Sequence, residues 1–151
     1  EIKLRGPGLM TGYWGLPEKT AESIINGWYH TGDVGYRDKR NFLHVVDRRN
    51  DMIISGGENV YPREVESVLA EHPAMIDAAV IGLPDPKWGE VVSCVLTENA
   101  PSAEELEAWL RERVAGYKIP RRWLRVPELP RTATGKVLKV QLRELFGSSR
   151  D

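Results

Sequence analysis

A lysine that could do chemistry stands at the end of Pro130-Arg131-Thr132-Ala133-Thr134-Gly135-Lys136. Pro127 and Pro130, then small and hydroxylated residues, then Gly-Lys make an exposed, adaptable segment. A helix expected from about Val137 would set the ammonium beside backbone N–H groups that favour anions. A Gly-Lys pair before a helix suggests a Walker A phosphate loop. That motif needs glycine at position 130 and Ser or Thr at 137, whereas the chain has Pro130 and Val137. Read alone, Lys136 is an ordinary surface lysine. The run from Arg111 to Arg143 holds ten basic residues against Glu112 and Glu128. Such a run is either a solvated helix face or a patch that meets phosphates. Cys94, the single cysteine, lies in the apolar run Val91–Leu96 and reads as a buried, inert thiol rather than a nucleophile.

The elements that must position these residues fall into two halves. Up to about residue 50 the chain is rich in glycine and aromatics, with turn signals every few residues. A strand at Glu1–Arg5 leads to a short helix near Pro17, where proline suits the first turn and Glu18 complements the dipole. Gly27–His30 and Val34–Arg37 read as short strands, and Asp38–Asn41 as a hairpin turn into Phe42–Asp47. This half has few long aliphatic stretches and could hardly fold alone; partners are expected over Trp14 and Trp28.

From about Asp51 the pattern is that of a compact α+β domain. Pro62 opens a helix whose Val65, Val68 and Leu69 share a face, and His72-Pro73 ends it. Ala78–Ile81 and Val91–Leu96 are strands joined by the stretch Gly82–Gly89. Ser102 and Glu105 form a capping box before a helix carrying Leu106, Trp109, Leu110 and Val114. Trp123–Val126 is a further strand, and the last helix places Leu138, Leu142 and Leu145 on one face. The expected fold is a small C-terminal domain with a mixed sheet of about three strands plus a hairpin, flanked by helices. A β-rich remnant of a larger domain precedes it.

With 151 residues, 41% hydrophobic and 28% charged, the composition is that of a soluble globular protein. No apolar run of about 18 residues is present to span a membrane. The net charge of −1 argues against nonspecific nucleic-acid binding. The N-terminus carries no signal-peptide pattern. It begins abruptly in a strand-like stretch, which suggests a piece of a longer protein. A lone cysteine fits a reducing cytoplasm.

Four segments follow one another in order. They are Gly12-Tyr13-Trp14-Gly15-Leu16-Pro17-Glu18-Lys19-Thr20, then Gly27-Trp28-Tyr29-His30-Thr31-Gly32-Asp33, then residues 47–62 with Ser55-Gly56-Gly57-Glu58-Asn59-Val60-Tyr61-Pro62, then Pro130–Lys136. Together they resemble the successive C-terminal motifs of the adenylate-forming superfamily, in the version of its acyl- and aryl-CoA ligase branch. The resemblance spans nearly the whole chain. It implies a two-step reaction: a carboxylate attacks the α-phosphate of ATP to give acyl-adenylate and pyrophosphate, and the CoA thiol then displaces AMP. Negative charge develops in both steps, so placed cations and N–H donors are the expected catalytic groups.

Carried onto this chain, Asp33 matches the carboxylate that accepts hydrogen bonds from both ribose hydroxyls, as an ionised carboxylate can. Arg48 matches the arginine that contacts ribose and phosphate, where a guanidinium fork suits two oxygens. Lys136 matches the catalytic lysine that holds the carboxylate and α-phosphate during adenylation. The hinge falls at Asn50, where many relatives have Asp or Lys. Gly56 and Gly57 would let the pantetheine arm of CoA pass close to the backbone. Trp88, Tyr117 and Lys118 match segments that meet CoA, with core packing as the competing reading of both aromatics. Some relatives use arginine where this chain has Ile119; Lys118, Arg121 or Arg122 could take its place.

ATP/AMP and CoA are the implied cofactors, with Mg²⁺ accompanying ATP and held by residues outside this chain. Residues 1–50 are then the end of a large N-terminal domain, the missing partner, and 51–151 a mobile C-terminal domain. The acid is a carboxylic, in particular a fatty, acid. Rival readings are a stand-alone docking or regulatory module, or a ligase that takes preformed acyl-adenylate or a carrier-protein thiol. The phosphate loop and acyl pocket of such enzymes have no counterpart in these 151 residues. This chain by itself is therefore expected to form no acyl-CoA from acid, ATP and CoA, which a thiol-consumption assay checks directly.

Overall fold

The computed structural model describes residues 1–75 and 77–148, so residues 149–151, grouped above with the C-terminal domain, lie outside the described residues. The chain divides into two compact units, Glu1–Asn50 and Asp51–Asp151.

In the first unit, β1 (Lys3–Leu4) is followed by α1 (Pro17–Ser23), β2 (Ile24–Ile25) and β3 (Trp28–His30). Asn26 and Gly27 both have positive φ, at 52° and 76°, and turn β2 directly back onto β3. A two-residue turn of that kind matches the twist of antiparallel strands, which is why Asn-Gly is a strong hairpin signal. The sequence reading placed no strand at Ile24–Ile25. β1 pairs with the other edge of β3, giving the order β1-β3-β2.

A separate ladder joins β4 (Asp33–Arg37) to β5 (Leu43–Arg48), with a bulge between Val34 and Gly35. Its turn is organised by Asp38, whose Oδ1 accepts the N–H groups of Arg40 and Phe42 at 2.9 and 3.0 Å. The hydrogen bond from His44, and then those backbone donors, hold the Asp38 carboxyl below its ordinary pKa. Among the described residues of this unit only Asp47 is buried, and Trp14 is fully exposed. The unit therefore has no closed apolar core of its own.

The second unit contains β6 (Ile53–Ser55), β7 (Glu58–Val60), α2 (Pro62–Ala70), β8 (Ala78–Asp85), β9 (Gly89–Thr97), α3 (Ala103–Arg111), β10 (Arg122–Val126) and α4 (Lys139–Ser148). These strands form one five-stranded mixed sheet. β9 is its centre: β10 lies parallel along one edge and β8 antiparallel along the other. β6 meets β9 at the Ser55–Gly89 pair and carries β7 beyond it.

Side chains of β8 and β9 alternate between two buried layers. Val80, Val92, Cys94 and Leu96 join Val65 and Leu69 of α2 and Leu106 and Leu110 of α3. Ala79, Ile81, Val91 and Val95 instead meet Leu129 and Leu142 of the α4 side. A strand covered on both faces is apolar nearly throughout, which explains the run Val91–Leu96, where Ser93 is the polar exception and Cys94 packs as a small hydrophobe. Both are fully buried, and burial pushes the Cys94 thiol far above its ordinary pKa.

In the second unit, too, the observed elements depart from the sequence reading. First, Gly82–Asp85, read as part of a connection, continues β8. Pro84 is tolerated there because β8 pairs only with β9, so its missing N–H faces away from the sheet. Second, α3 ends at Arg111, and Val114 packs on the core from the segment after it. Ser102 does cap this helix, its Oγ accepting the Glu105 N–H at 3.2 Å, but the Glu105 carboxylate meets His72 Nε2 at 3.4 Å. Third, α4 starts at Lys139 rather than about Val137, because Val137 forms an isolated antiparallel bridge with Arg131. Leu142 is fully buried, whereas Leu145 is 38% exposed and Phe146 takes the packing position.

This phase of α4 makes a direct prediction. Leu142→Ala should destabilise the unit by about 2–5 kcal/mol, whereas Leu145→Ala should cost less than about 1 kcal/mol. Urea denaturation of the two variants measures the difference.

Candidate functional site

Lys136 sits in a turn that is closed in several ways. Arg131 and Val137 bridge its base, and Gly135 turns it with φ 83°, a value that favours glycine. Thr132 N–H donates to the Lys136 carbonyl at 2.8 Å, and Lys136 N–H donates to Thr132 Oγ1 at 3.1 Å. Gly135 N–H donates to the Thr132 carbonyl at 2.9 Å. Both main-chain polar groups of Lys136 are thus held, while its side chain is exposed. The lysine is not at the mouth of a helix as expected, since α4 begins three residues further on. Whatever anion it meets is met by the ammonium rather than by a helix terminus.

Asp33 and Arg48, distant in sequence, are direct cross-strand partners in the β4–β5 ladder. Arg48 Nε approaches Asp33 Oδ1 at 3.2 Å, with the side chains 59% and 31% exposed. A pair so exposed contributes only about 0–1 kcal/mol to stability, so its value lies in presenting a carboxylate and a guanidinium side by side. Thr31 fixes the approach: its Oγ1 accepts the Asp33 N–H at 3.0 Å and donates to the Ile2 carbonyl at 2.8 Å. Gly32, with φ 75°, lets its carbonyl accept the Arg49 N–H at 2.7 Å. The Tyr29 phenol, which the sequence reading gave no role, hydrogen-bonds the Tyr13 phenol at 3.2 Å. Its pKa is raised, first by the hydrogen bond with Tyr13 and then by burial, while Arg48 and Asp33 act on it in opposite senses. The Asp33–Arg48 pair fits a ribose, because the carboxylate keeps acceptor capacity for hydroxyl donors and the guanidinium keeps donors for phosphate.

Asn50 lies in a 3₁₀ turn, Arg49–Asp51, at the boundary of the two compact units. The positive-φ asparagines are Asn26 and Asn41, so Asn50 does not use that freedom in this conformation.

Gly56 and Gly57 form the two-residue turn between β6 and β7, with φ 61° and 86°. Gly56 N–H donates to the Trp88 carbonyl at 2.9 Å, and a Cβ on Gly56 would come within 2.9 Å of the Trp88 ring. Trp88 is half-buried; the Arg121 guanidinium lies 4.4 Å and the Lys87 ammonium 4.8 Å from its ring centroid. Arg122 pairs with Asp85 at 2.8 Å, and Lys118 with Glu64 at 2.6 Å. Tyr117 is 38% exposed, and the Lys118 ammonium is 5.7 Å from its ring centroid. Ile119 and Arg121 line a cleft of about 450 Å³ with Arg111 and Glu107. Of the cations considered for a phosphate, Arg121 is the one set on Trp88, while Lys118 and Arg122 already hold carboxylates. An exposed turn without side chains beside Arg121 and Lys87 fits a slender, phosphate-bearing ligand.

Two of these sites lie on the same sheet. The lysine turn is tied to Asp77, just before β8, by an Arg131 Nη2 to Asp77 Oδ2 contact of 2.6 Å. The Gly56–Trp88 cluster sits at the other end, where β8 turns into β9. Eight residues of β8 separate the ends by roughly 23 Å at about 3.3 Å per residue.

Residues 64–136 match the AMP-binding enzyme C-terminal domain, a span that ends on Lys136. This chain carries that domain. A feruloyl-CoA synthase of an Amycolatopsis species is 51% identical over 150 residues, covering 97% of this chain and 30% of the relative. A 2-succinylbenzoate–CoA ligase of Bacillus cereus is 47% identical over 146 residues, covering 96% of this chain and 30% of the relative. A solved o-succinylbenzoate CoA synthetase from Bacillus subtilis, in complex with its acyl-adenylate intermediate, superposes with a TM-score of 0.88. It is 48% identical and covers 95% of this chain and 30% of that one. The chain is thus similar to the C-terminal part of acyl-CoA ligases of the adenylate-forming superfamily and spans 30% of the length of these relatives.

The glycine turn, just ahead of the matched residues 64–136, can be tested without any ligand. Gly56→Ala meets both an unfavourable φ and the Trp88 ring, whereas Gly57→Ala meets the φ penalty alone, with open space around its Cβ. Gly57→Ala should cost about 1 kcal/mol and Gly56→Ala clearly more, within about 1–3 kcal/mol. Only Gly56→Ala should shift the tryptophan near-UV circular dichroism.

Proposed function

We propose that the full-length protein is an ATP-dependent acid–thiol ligase. It joins a carboxylic acid to CoA through an acyl-adenylate, and this chain supplies the part that completes the active site. The observation that carries the reading is the lysine turn: a fully tied main chain presents an exposed Lys136 at the end of the family match. Residues 1–50 belong to the end of the large domain and bring Asp33 and Arg48 to the nucleotide. Residues 51–151 act as the mobile domain, with Asn50 at the hinge.

ATP, accompanied by Mg²⁺, supplies the activated phosphate. In the first step Lys136 neutralises charge on the substrate carboxylate and α-phosphate, Asp33 holds the ribose hydroxyls, and Arg48 spans ribose and phosphate. A lysine suits this task because a compact charge on a flexible stem can reach inward from a moving domain. In the second step the opposite end of the sheet serves: Gly56 and Gly57 line the pantetheine path and Trp88, with Arg121, receives the nucleotide end of CoA. Tyr117 and Lys118 flank that path. The roughly 23 Å between the two ends supports assigning one end to each half-reaction.

The acid is an aryl or fatty carboxylic acid. The names of the feruloyl and succinylbenzoate relatives favour an aryl acid over the fatty acid first expected. The cytoplasm is the compartment that suits this chemistry and the free Cys94.

Lys136→Ala in the full-length enzyme tests the reading. Pyrophosphate exchange should fall on the order of 10²–10³-fold, whereas thioester formation from supplied acyl-adenylate should stay near wild type. Equal loss of both half-reactions would sink the proposed division of labour.

A further inference from the structure

The turn that presents Lys136 is internally complete, but its own hydrogen bonds do not fix where it stands against the sheet. The Leu138 N–H to Pro130 carbonyl bond of 2.8 Å closes the loop on itself. Arg131 does what the main chain does not. Its Nη1 donates to the Gly135 carbonyl at 2.7 Å, one residue before the lysine. Its Nη2 donates to Asp77 Oδ2 at 2.6 Å, at the foot of β8. One planar guanidinium therefore grips the crest of the turn with one nitrogen and the sheet with the other. A guanidinium holds its donors in one fixed plane and so sets the two acceptors relative to each other, whereas the three donors of an ammonium rotate freely. Asp77 is itself held by the sheet, its carbonyl accepting the Thr97 N–H of β9 at 3.3 Å.

We infer that Arg131 and Asp77 are positioning residues for Lys136, a clamp that sets the height and direction of the lysine turn for adenylation. This inference rests on the adenylation role proposed for Lys136. Both clamp side chains are about one-third exposed, so the contact adds little to folding. Its effect is on placement, where an error of about 1 Å in a reacting group can cost roughly 10²-fold in rate. Gly135, at φ 83°, reverses the chain just before the lysine, and the clamp acts on its carbonyl directly.

The test uses the full-length enzyme with Arg131→Ala, Arg131→Lys, Asp77→Ala, the Arg131/Asp77 double variant, and Lys136→Ala as reference. Arg131→Ala and Asp77→Ala should each lower kcat for pyrophosphate exchange by about tenfold or more, with KM for ATP changed less than kcat. The double variant should be no worse than the poorer single one, since both break the same clamp. Arg131→Lys should recover only part of the loss. Thioester formation from supplied acyl-adenylate and the thermal midpoint should stay at wild-type values, which a merely structural role would not allow. If Lys136→Ala abolishes exchange while Arg131→Ala and Asp77→Ala leave it intact, the clamp is refuted and the role of Lys136 stands. If both half-reactions and the midpoint fall together in the clamp variants, positioning is likewise refuted. If Lys136→Ala itself leaves exchange intact, the functional reading fails and the clamp with it.

Discussion

The second unit depends on one strand that is satisfied in every direction. β9 is paired along one edge by β10 and along the other by β8, and its side chains are buried on both faces. Backbone polar groups in such a position have no access to water, so each must find a partner in the sheet. That requirement places β8 and β10, and their burial in turn demands α2 and α3 over one face and α4 over the other. The outer edge of β8 shows the same accounting: its Val80 N–H is taken by Glu66 Oε1 at 2.8 Å, and Lys139 of α4 holds that carboxylate at 3.3 Å.

A slab of this kind is rigid in the middle and free at its ends. Chemistry at the ends is then held at a fixed separation by the intervening hydrogen bonds, not by flexible linkers. The lysine turn hangs from the foot of β8, and the glycine turn packs against Trp88 at its head. The first unit offers a contrast. Its ladders are short, the only buried one of its described residues is polar, and Asp33 and Arg48 owe their meeting to strand register. Register is strongly specified when a turn defines it, and the Asp38 carboxylate with its two backbone donors does this for β4 and β5.

Several elements were legible because local signals and burial agree. Pro62 opens α2, Ser102 caps α3, and the run Val91–Leu96 is a two-sided strand. Others were misread because the deciding contact is remote. Pro84 looks like a break until β8 proves to be an edge strand. Val137 looks helical until Arg131 takes it into a bridge, and packing on the sheet selects Phe146 over Leu145. Ile24 and Ile25 were passed over although Asn26-Gly27 announces their hairpin.

The candidate site divides along the same line. By itself the sequence determined that Lys136 lies in an exposed loop and that the order of motifs resembles one family. Those properties reside in residue types, spacing and backbone freedom, which neighbours in the chain already fix. Only the tertiary structure decided that Asp33 faces Arg48, that Trp88 lies on Gly56 beneath Arg121, and that Arg131 ties the lysine turn to Asp77. Each of those contacts joins residues 15 to 54 positions apart in the chain. Their distances come from strand register and sheet packing, quantities that no local stretch of sequence contains.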